Sequence, residues 1–209
     1  MGRPRKPLIS RRKTLETALR IIDGEGLDAL SIRRLGRELN VQGISLYHHF
    51  KSKEDILAGV CQLALAEVRT PTATDLPWRE WLVANALHYR QALSEHPNLT
   101  PVLMRRHPLR IGLAEHNATA GLLAVQGVPL DAIMPLMEAL EEIVLGSANY
   151  HSAVENDDQS ESWKSEHPFL YHLSRRHVDR DRLFEIMARA VIDAIAAEFG
   201  IEQADSAAA

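Results

Sequence analysis

The sequence predicts an all-α fold: an N-terminal three-helix domain built around a helix-turn-helix, then a larger helical domain. Three observations predict it. Apolar residues recur at the period of an amphipathic helix in segment after segment. No segment shows a competing strand pattern. Charge also divides the chain: residues 1–60 hold 12 Lys/Arg and 7 Asp/Glu, while residues 61–209 hold 12 and 21. A basic head on an acidic body implies that only the head meets a polyanion.

Residues 1–9, MGRPRKPLI, read as a flexible basic arm. There Arg3, Arg5 and Lys6 could track phosphates or enter a minor groove, and a merely solubilising tail is an equal alternative. Ser10–Glu25 is the first helix, with Leu15, Ala18, Leu19 and Ile22 as its apolar stripe and Gly24 or Gly26 at its end. Ser31 caps the next helix and sets Ile32, Leu35 and Leu39 on one face. Asn40 tolerates the left-handed conformation that ends it, and Val41 plugs the core. Gln42-Gly43 then opens a second helix of barely two turns, Ile44–Phe50. Ser52 caps a third, running to Val68, with Glu54 and Asp55 in the first turn, where the helix dipole favours them. That helix is apolar on more than one face, so it must pack against both head and body. Two short helices around a tight turn can place the second in the major groove of DNA.

Across this stretch Leu30-Ser31, Arg33, Leu35, Leu39, Val41, Leu46-Tyr47, His49-Phe50, Lys53 and Ile56-Leu57 fall in a distinctive order. The pattern, and the segment LYHHFKSKEDIL above all, resembles the DNA-binding domain of TetR-family transcriptional repressors. The resemblance implies a double-stranded DNA operator as partner. Ser31, Arg33, Tyr47 and Lys53 would contact phosphates, matching backbone contacts typical of the family. Gln42, Gly43, Ser45 and His48 would face base edges, with Gly43 letting the helix come close. Ile44 would touch a thymine methyl, and His49 would serve phosphate or structure equally.

The body continues as helices: Trp78–Glu95, Leu99–Arg106, Pro108–Gln126 and Pro129–Ala153, after a Thr/Pro-rich linker, Arg69–Pro77. Pro135 sits where it would kink or delay the fourth. Glu155–Glu166 reads as a loop, Pro168–Arg176 as a short helix, and Asp179 as the cap of a last helix, Arg180–Phe199. Its stripe is Leu183, Ile186, Met187, Ala190, Val191, Ala194 and Ile195. The domain limits are 10–60 for the DNA-binding head and 61–202 for effector binding and dimerisation, with 203–209 a disordered tail. Small residues near 136–150 and 183–198, among them Gly146, Ala190 and Ala194, suit a four-helix homodimer interface. The alternative is that they only close the monomer core, and the dimer is preferred because a helix-turn-helix reading a palindrome needs a two-fold partner.

Trp78, Leu82, Asn85-Ala86, Tyr89-Arg90, Ala92-Leu93, His96, Pro108, Gly127 and Leu145-Gly146 extend the resemblance to the branch containing the tetracycline repressors. Where those place the histidine and glutamate that engage the drug's magnesium, this chain carries Leu103 and Tyr150. Neither can replace a hard-cation ligand, so no tetracycline–magnesium response is expected. The family binds small effectors between the middle helices. Polar groups scattered there on mostly apolar helices, Asn85, His88, Tyr89, His116, Thr119, Glu142, Asn149 and Tyr150, are the candidates, together with Leu103. The aliphatic and Met content suggests a hydrophobic or aromatic small-molecule effector.

No apolar run is long enough to span a membrane, and MGRPRKPLISRRK lacks the apolar stretch of a secretory signal. A single cysteine, Cys61, excludes an internal disulfide framework, fits the cytoplasm and is expected to pack inside. The ten histidines include no HxxxH or HExxH pair, so no metal site and no cofactor is assigned. No nucleophile elbow, phosphate-cradling loop or metalloprotease motif appears, and an enzyme is not expected. The reading is a ligand-responsive repressor. Its alternatives are a corepressed or activating regulator, and an enzyme using the body's pocket.

Overall fold

The computed structural model describes residues 10–66, 76–105, 111–155, 163–176 and 179–202. The basic arm, the C-terminal tail, most of the linker and much of the acidic loop lie outside them. Every regular element among the described residues is helical. The chain forms two compact units: Met1–Val68 with Glu95–Leu113, and Arg69–Ser94 with Ala114–Ala209. The sequence reading draws one boundary along the chain, at residue 60, whereas these units are discontinuous.

The first unit begins with α1 (Arg11–Glu25), capped by Ser10, whose hydroxyl accepts from the Lys13 N–H at 3.2 Å. Gly26, at φ 85°, ends it. The buried face is broader than the predicted stripe. Ile21 joins Leu15, Ala18 and Ile22, while Leu19 is only half-buried. Thr14 and Thr17 are buried too, because their hydroxyls donate to the carbonyls of Ser10 and Lys13 four residues back. α2 (Ile32–Glu38) is capped by Ser31. Asn40 takes the predicted left-handed turn, at φ 54°. α3 (Lys53–Ala66) packs on α1, where Gly59 permits close approach: a Cβ there would lie 2.8 Å from a Leu15 methyl. Cys61 is fully buried, as expected.

Residues 95–105 and 111–113, the described part of the segment that completes this unit, are tied in by side chains. His96 Nδ1 lies 3.0 Å from Asp23 Oδ2, Asn98 donates to the Ile22 carbonyl at 2.9 Å, and Gln62 donates to the Ile111 carbonyl at 2.6 Å. This segment carries a 3₁₀ turn, Pro97–Leu99, and α5 (Thr100–Met104).

The second unit holds α4 (Trp78–Glu95) up to Ser94, α6 (Leu113–Val125) from Ala114, α7 (Leu130–Glu155), α8 (Trp163–Glu166), α9 (Pro168–Ser174) and α10 (Arg180–Glu198). Two expectations are corrected. α7 runs through Pro135 without a delayed start. The proline falls near the helix N-terminus, and the carbonyl its missing N–H would serve belongs to exposed Asp131, within reach of water. Trp163–Glu166, read as loop, is a turn of helix.

α7 packs on α10, and long side chains bridge α10 to α4. Arg79 pairs with Asp193 at 2.8 Å, and Arg189 grips Glu80 through two bonds of 2.6 and 2.8 Å. Arg90 pairs with Asp181. These partners run in opposite order along the two helices, so α4 and α10 are antiparallel. The face of α10 that enters the core is Phe184, Ala188, Ile192 and Ala196. The predicted stripe is real but points elsewhere: Leu183 is 41% exposed, Ile186 51% and Met187 37%.

Candidate nucleic-acid interface and effector site

The second helix of the motif is a 3₁₀ helix, Gly43–His48, rather than the predicted α-helix. Its bonds run from the Ser45 N–H to the Gln42 carbonyl and from the His49 N–H to the Leu46 carbonyl, at 2.9 and 3.0 Å. Three residues per turn divide the side chains into ridges. Ile44 and Tyr47 form one ridge, 72% and 53% exposed. Gln42, Ser45 and His48 form another, exposed except for half-buried Ser45. Leu46 turns inward and is fully buried, as is Phe50 just beyond.

Two glycines set this helix on α2. A Cβ at Gly36 would lie 2.9 Å from the Val41 carbonyl oxygen and 3.1 Å from the Gly43 nitrogen. A Cβ at Gly43 would lie 3.1 Å from Ile32 Cγ2. Gly43 is therefore needed for packing inside the head, a role the sequence reading missed, as it missed Gly36. Val41 is half-buried rather than a core plug, because it sits on the turn beside exposed Asn40 and Gln42.

Around the ridges stand the expected phosphate ligands. Ser31 and Arg33 are exposed and Lys53 is half-buried. The Ser31 hydroxyl already accepts from the Arg34 N–H at 3.1 Å. Arg34 is spent internally, on Glu25 at 2.5 Å and on Glu38, while Arg33 and Arg37 point outward. Arg11 braces the far end. It donates to the His49 carbonyl at 2.8 Å, reaches Asp55 Oδ1 at 3.3 Å and lies 4.5 Å from the Phe50 ring centre. This gives His49 a structural role through its backbone and leaves its side chain exposed. Asp55 also accepts from the Lys51 N–H at 3.0 Å, while its own N–H donates to the Ser52 hydroxyl at 3.2 Å. The backbone bond from Lys51, and then Arg11, hold the Asp55 carboxyl below the usual range.

In the second unit the predicted effector residues separate. Tyr89 on α4 and His116 on α6 converge on one carboxylate of α7. Tyr89 Oη lies 3.3 Å from Glu141 Oε1 and His116 Nε2 lies 3.5 Å from Glu141 Oε2. Half-buried Asn85 lies one turn from Tyr89, and buried Thr119 one turn from His116. The sequence reading chose Glu142, which is exposed; Glu141, one residue earlier, is the inward acid. His88, Asn149 and Tyr150 are also exposed, so they do not join the cluster. Leu103 is buried in the first unit. The other missed residue is Arg90, 5% exposed, which donates to Ser147 Oγ at 3.0 Å and lies 5.3 Å from the Phe184 ring centre. Among the described residues no group of three His, Cys, Asp or Glu could hold a metal ion, and no helix is long and apolar enough to cross a membrane.

Residues 15–60 match the family described as bacterial regulatory proteins, tetR family. An HTH-type transcriptional regulator of Saccharopolyspora erythraea is 28% identical over 157 residues, 74% of this chain. The match spans just under two thirds, 66%, of that regulator. The Escherichia coli tetracycline repressor protein class A from transposon 1721 is 28% identical over 192 residues, 87% of this chain and 88% of the repressor. The crystal structure of the Streptomyces coelicolor TetR family protein ActR in complex with actinorhodin superposes with a TM-score of 0.76 at 28% identity, over 93% of this chain and 99% of that one.

Proposed function

Because the chain belongs to the TetR family of bacterial regulators, we propose that it is a cytoplasmic, ligand-responsive transcriptional repressor without enzymatic activity. It binds a palindromic operator as a homodimer, and a small hydrophobic or aromatic effector releases it. The observation that carries this reading is the pair of ridges on Gly43–His48. A helix that turns Leu46 inward and leaves Ile44, Tyr47, Gln42 and His48 exposed is furnished for contact with base edges and phosphates. Exposed Arg33 and half-buried Lys53 supply charge for the backbone.

The exposed stripe of α10 supports the two-fold partner. Leu183, Ile186 and Met187, with exposed Ala190 and Ala194, give an apolar face with room for close helix approach. Gly146 on α7 is also exposed, and a Cβ there would meet nothing within 4 Å. Tyr89, His116 and Glu141 form the polar centre of the effector site. An effector favouring the state that does not bind DNA would shift α3 and change the separation of the two heads, which must match the groove spacing.

The test is selection of genomic fragments by the purified protein, followed by anisotropy titration of the best fragment at two salt concentrations. An inverted repeat bound by dimers, and weakened by salt, is expected. Binding without enrichment of any sequence would overturn the operator reading. Tetracycline with magnesium should neither bind nor release the DNA, because buried Leu103 and exposed Tyr150 offer no ligand set for the metal.

A further inference from the structure

Among Asp131, Glu138, Glu141 and Glu142 of α7, only Glu141 is turned inward, with 12% of its side chain exposed. A carboxylate taken out of water must be paired or hydrogen-bonded. When ionised it accepts only, at about four lone-pair positions. Here Tyr89 Oη donates to one oxygen at 3.3 Å, at the long end of hydrogen-bond geometry, and His116 Nε2 stands 3.5 Å from the other, an ion pair only when the imidazole is protonated. The arginine next along α4 cannot help, since Arg90 is committed to Asp181 and Ser147. One helical turn on either side of Glu141 stand apolar Met137 and Leu145. Asn85 and Thr119 add neutral polar groups on the facing helices.

We infer that Glu141 is the specificity-determining residue of the effector site, and that the effector is an aromatic amine carrying a positive charge. An ammonium or ring N–H⁺ supplies the donors that the carboxylate lacks, while the aromatic frame lies on the apolar lining. An aromatic acid of the same shape brings like charge against Glu141 and is rejected. This assignment rests on the reading of α4, α6 and α7 as the effector site.

Calorimetric titration of the full-length protein, without DNA, with two three-ring probes tests it: 9-aminoacridine, a cation, and anthracene-9-carboxylate, an anion. The cation should bind about tenfold more tightly or better, the scale of one charge contact in a partly desolvated site. Glu141→Gln, neutral and of the same shape, should bring the two affinities together while leaving thermal unfolding unchanged. The wild-type ratio is informative even if that variant fails to fold. Equal binding, or preference for the carboxylate, overturns the charge assignment. If that binding is lost in Tyr89→Ala, the pocket itself stands. A cation preference that Glu141→Gln leaves intact overturns the role of Glu141. Binding of neither probe overturns both the assignment and the pocket.

Discussion

In the head, the bonds that start α1, α2 and α3 span three residues: Ser10 to Lys13, Ser31 to Arg34, Ser52 to Asp55. In the body, the bonds that join the helices span much more. Tyr89 meets Glu141 across 52 positions, Arg90 meets Asp181 across 91 and Arg79 meets Asp193 across 114. Local caps start the helices of the head, although Arg11, Asn98 and Gln62 also tie it together over long range, while the contacts between α4, α6, α7 and α10 are all tertiary. The first can be read along a sequence because each signal and its effect are neighbours. The second cannot, because no spacing rule links α4 to α10.

The strongest way to break this comparison is inside the head. Gly36→Ala places a methyl group 2.9 Å from the Val41 carbonyl and 3.1 Å from the Gly43 nitrogen. Both are backbone atoms across the turn, so the 3₁₀ helix must lift from α2. The overpacking should cost about 1–3 kcal/mol and abolish high-affinity operator binding. Thermal unfolding and anisotropy read both effects. Gly43→Ala should be milder, because it meets the Ile32 side chain first. Unchanged operator affinity in Gly36→Ala would mean that the turn does not set the reading helix.

A finer cut separates base reading from phosphate binding. His48→Ala should relax specificity at one operator position, by about 1–3 kcal/mol of discrimination. Arg33→Ala should instead weaken every sequence alike and reduce the salt slope by about one. Competition between operator variants at two salt concentrations distinguishes them. Identical behaviour of the two variants would erase the division of roles drawn from exposure.

The body is tested through Asp181→Asn. Arg90 has a side chain only 6% exposed, whereas Asp181 is 76% exposed. Removing the carboxylate leaves a buried guanidinium without its counter-ion, but the lost partner was largely in water. The cost should therefore be about 1 kcal/mol, well below that of breaking a fully buried pair. A drop in melting temperature larger than that of Gly36→Ala would reverse the ranking of local over long-range contacts.

These cases show what the sequence carried. Ser31, Ser52 and Asp179 were legible as caps, and Asn40 as the left-handed turn, because each acts on its neighbours. Tyr89 and His116 were legible as polar interruptions of apolar helices. Glu141 was not, since Glu141 and Glu142 are identical in type and differ by one step of about 100° around α7. Only the packing of α7 decides which enters. The α10 stripe was legible as a stripe but not by its direction. Leu183, Ile186 and Met187 keep perfect helical spacing, but spacing does not say whether a face meets its own core or solvent. The close seat of the second helix on α2 at Gly36 and Gly43 was not legible either, because it is a constraint between elements rather than within one.

The smallest effect lies where local and long-range contacts meet, at Asp55. Its carboxylate accepts from the Lys51 N–H and from Arg11, which also holds the His49 carbonyl. Those bonds lower its folded pKa below the unfolded value. A group so shifted contributes stability above its unfolded pKa, and that contribution is lost as pH falls through the folded pKa. The wild type should thus exceed Asp55→Asn in melting temperature by a constant small margin from neutral pH down to about 4, and the margin should close at lower pH. Salt should shrink it, because the Arg11 partner is half exposed. A margin that instead grew on acidification would mean that Asp55 is not ionised in the folded head, and that Arg11 is held by Phe50 and the His49 carbonyl alone.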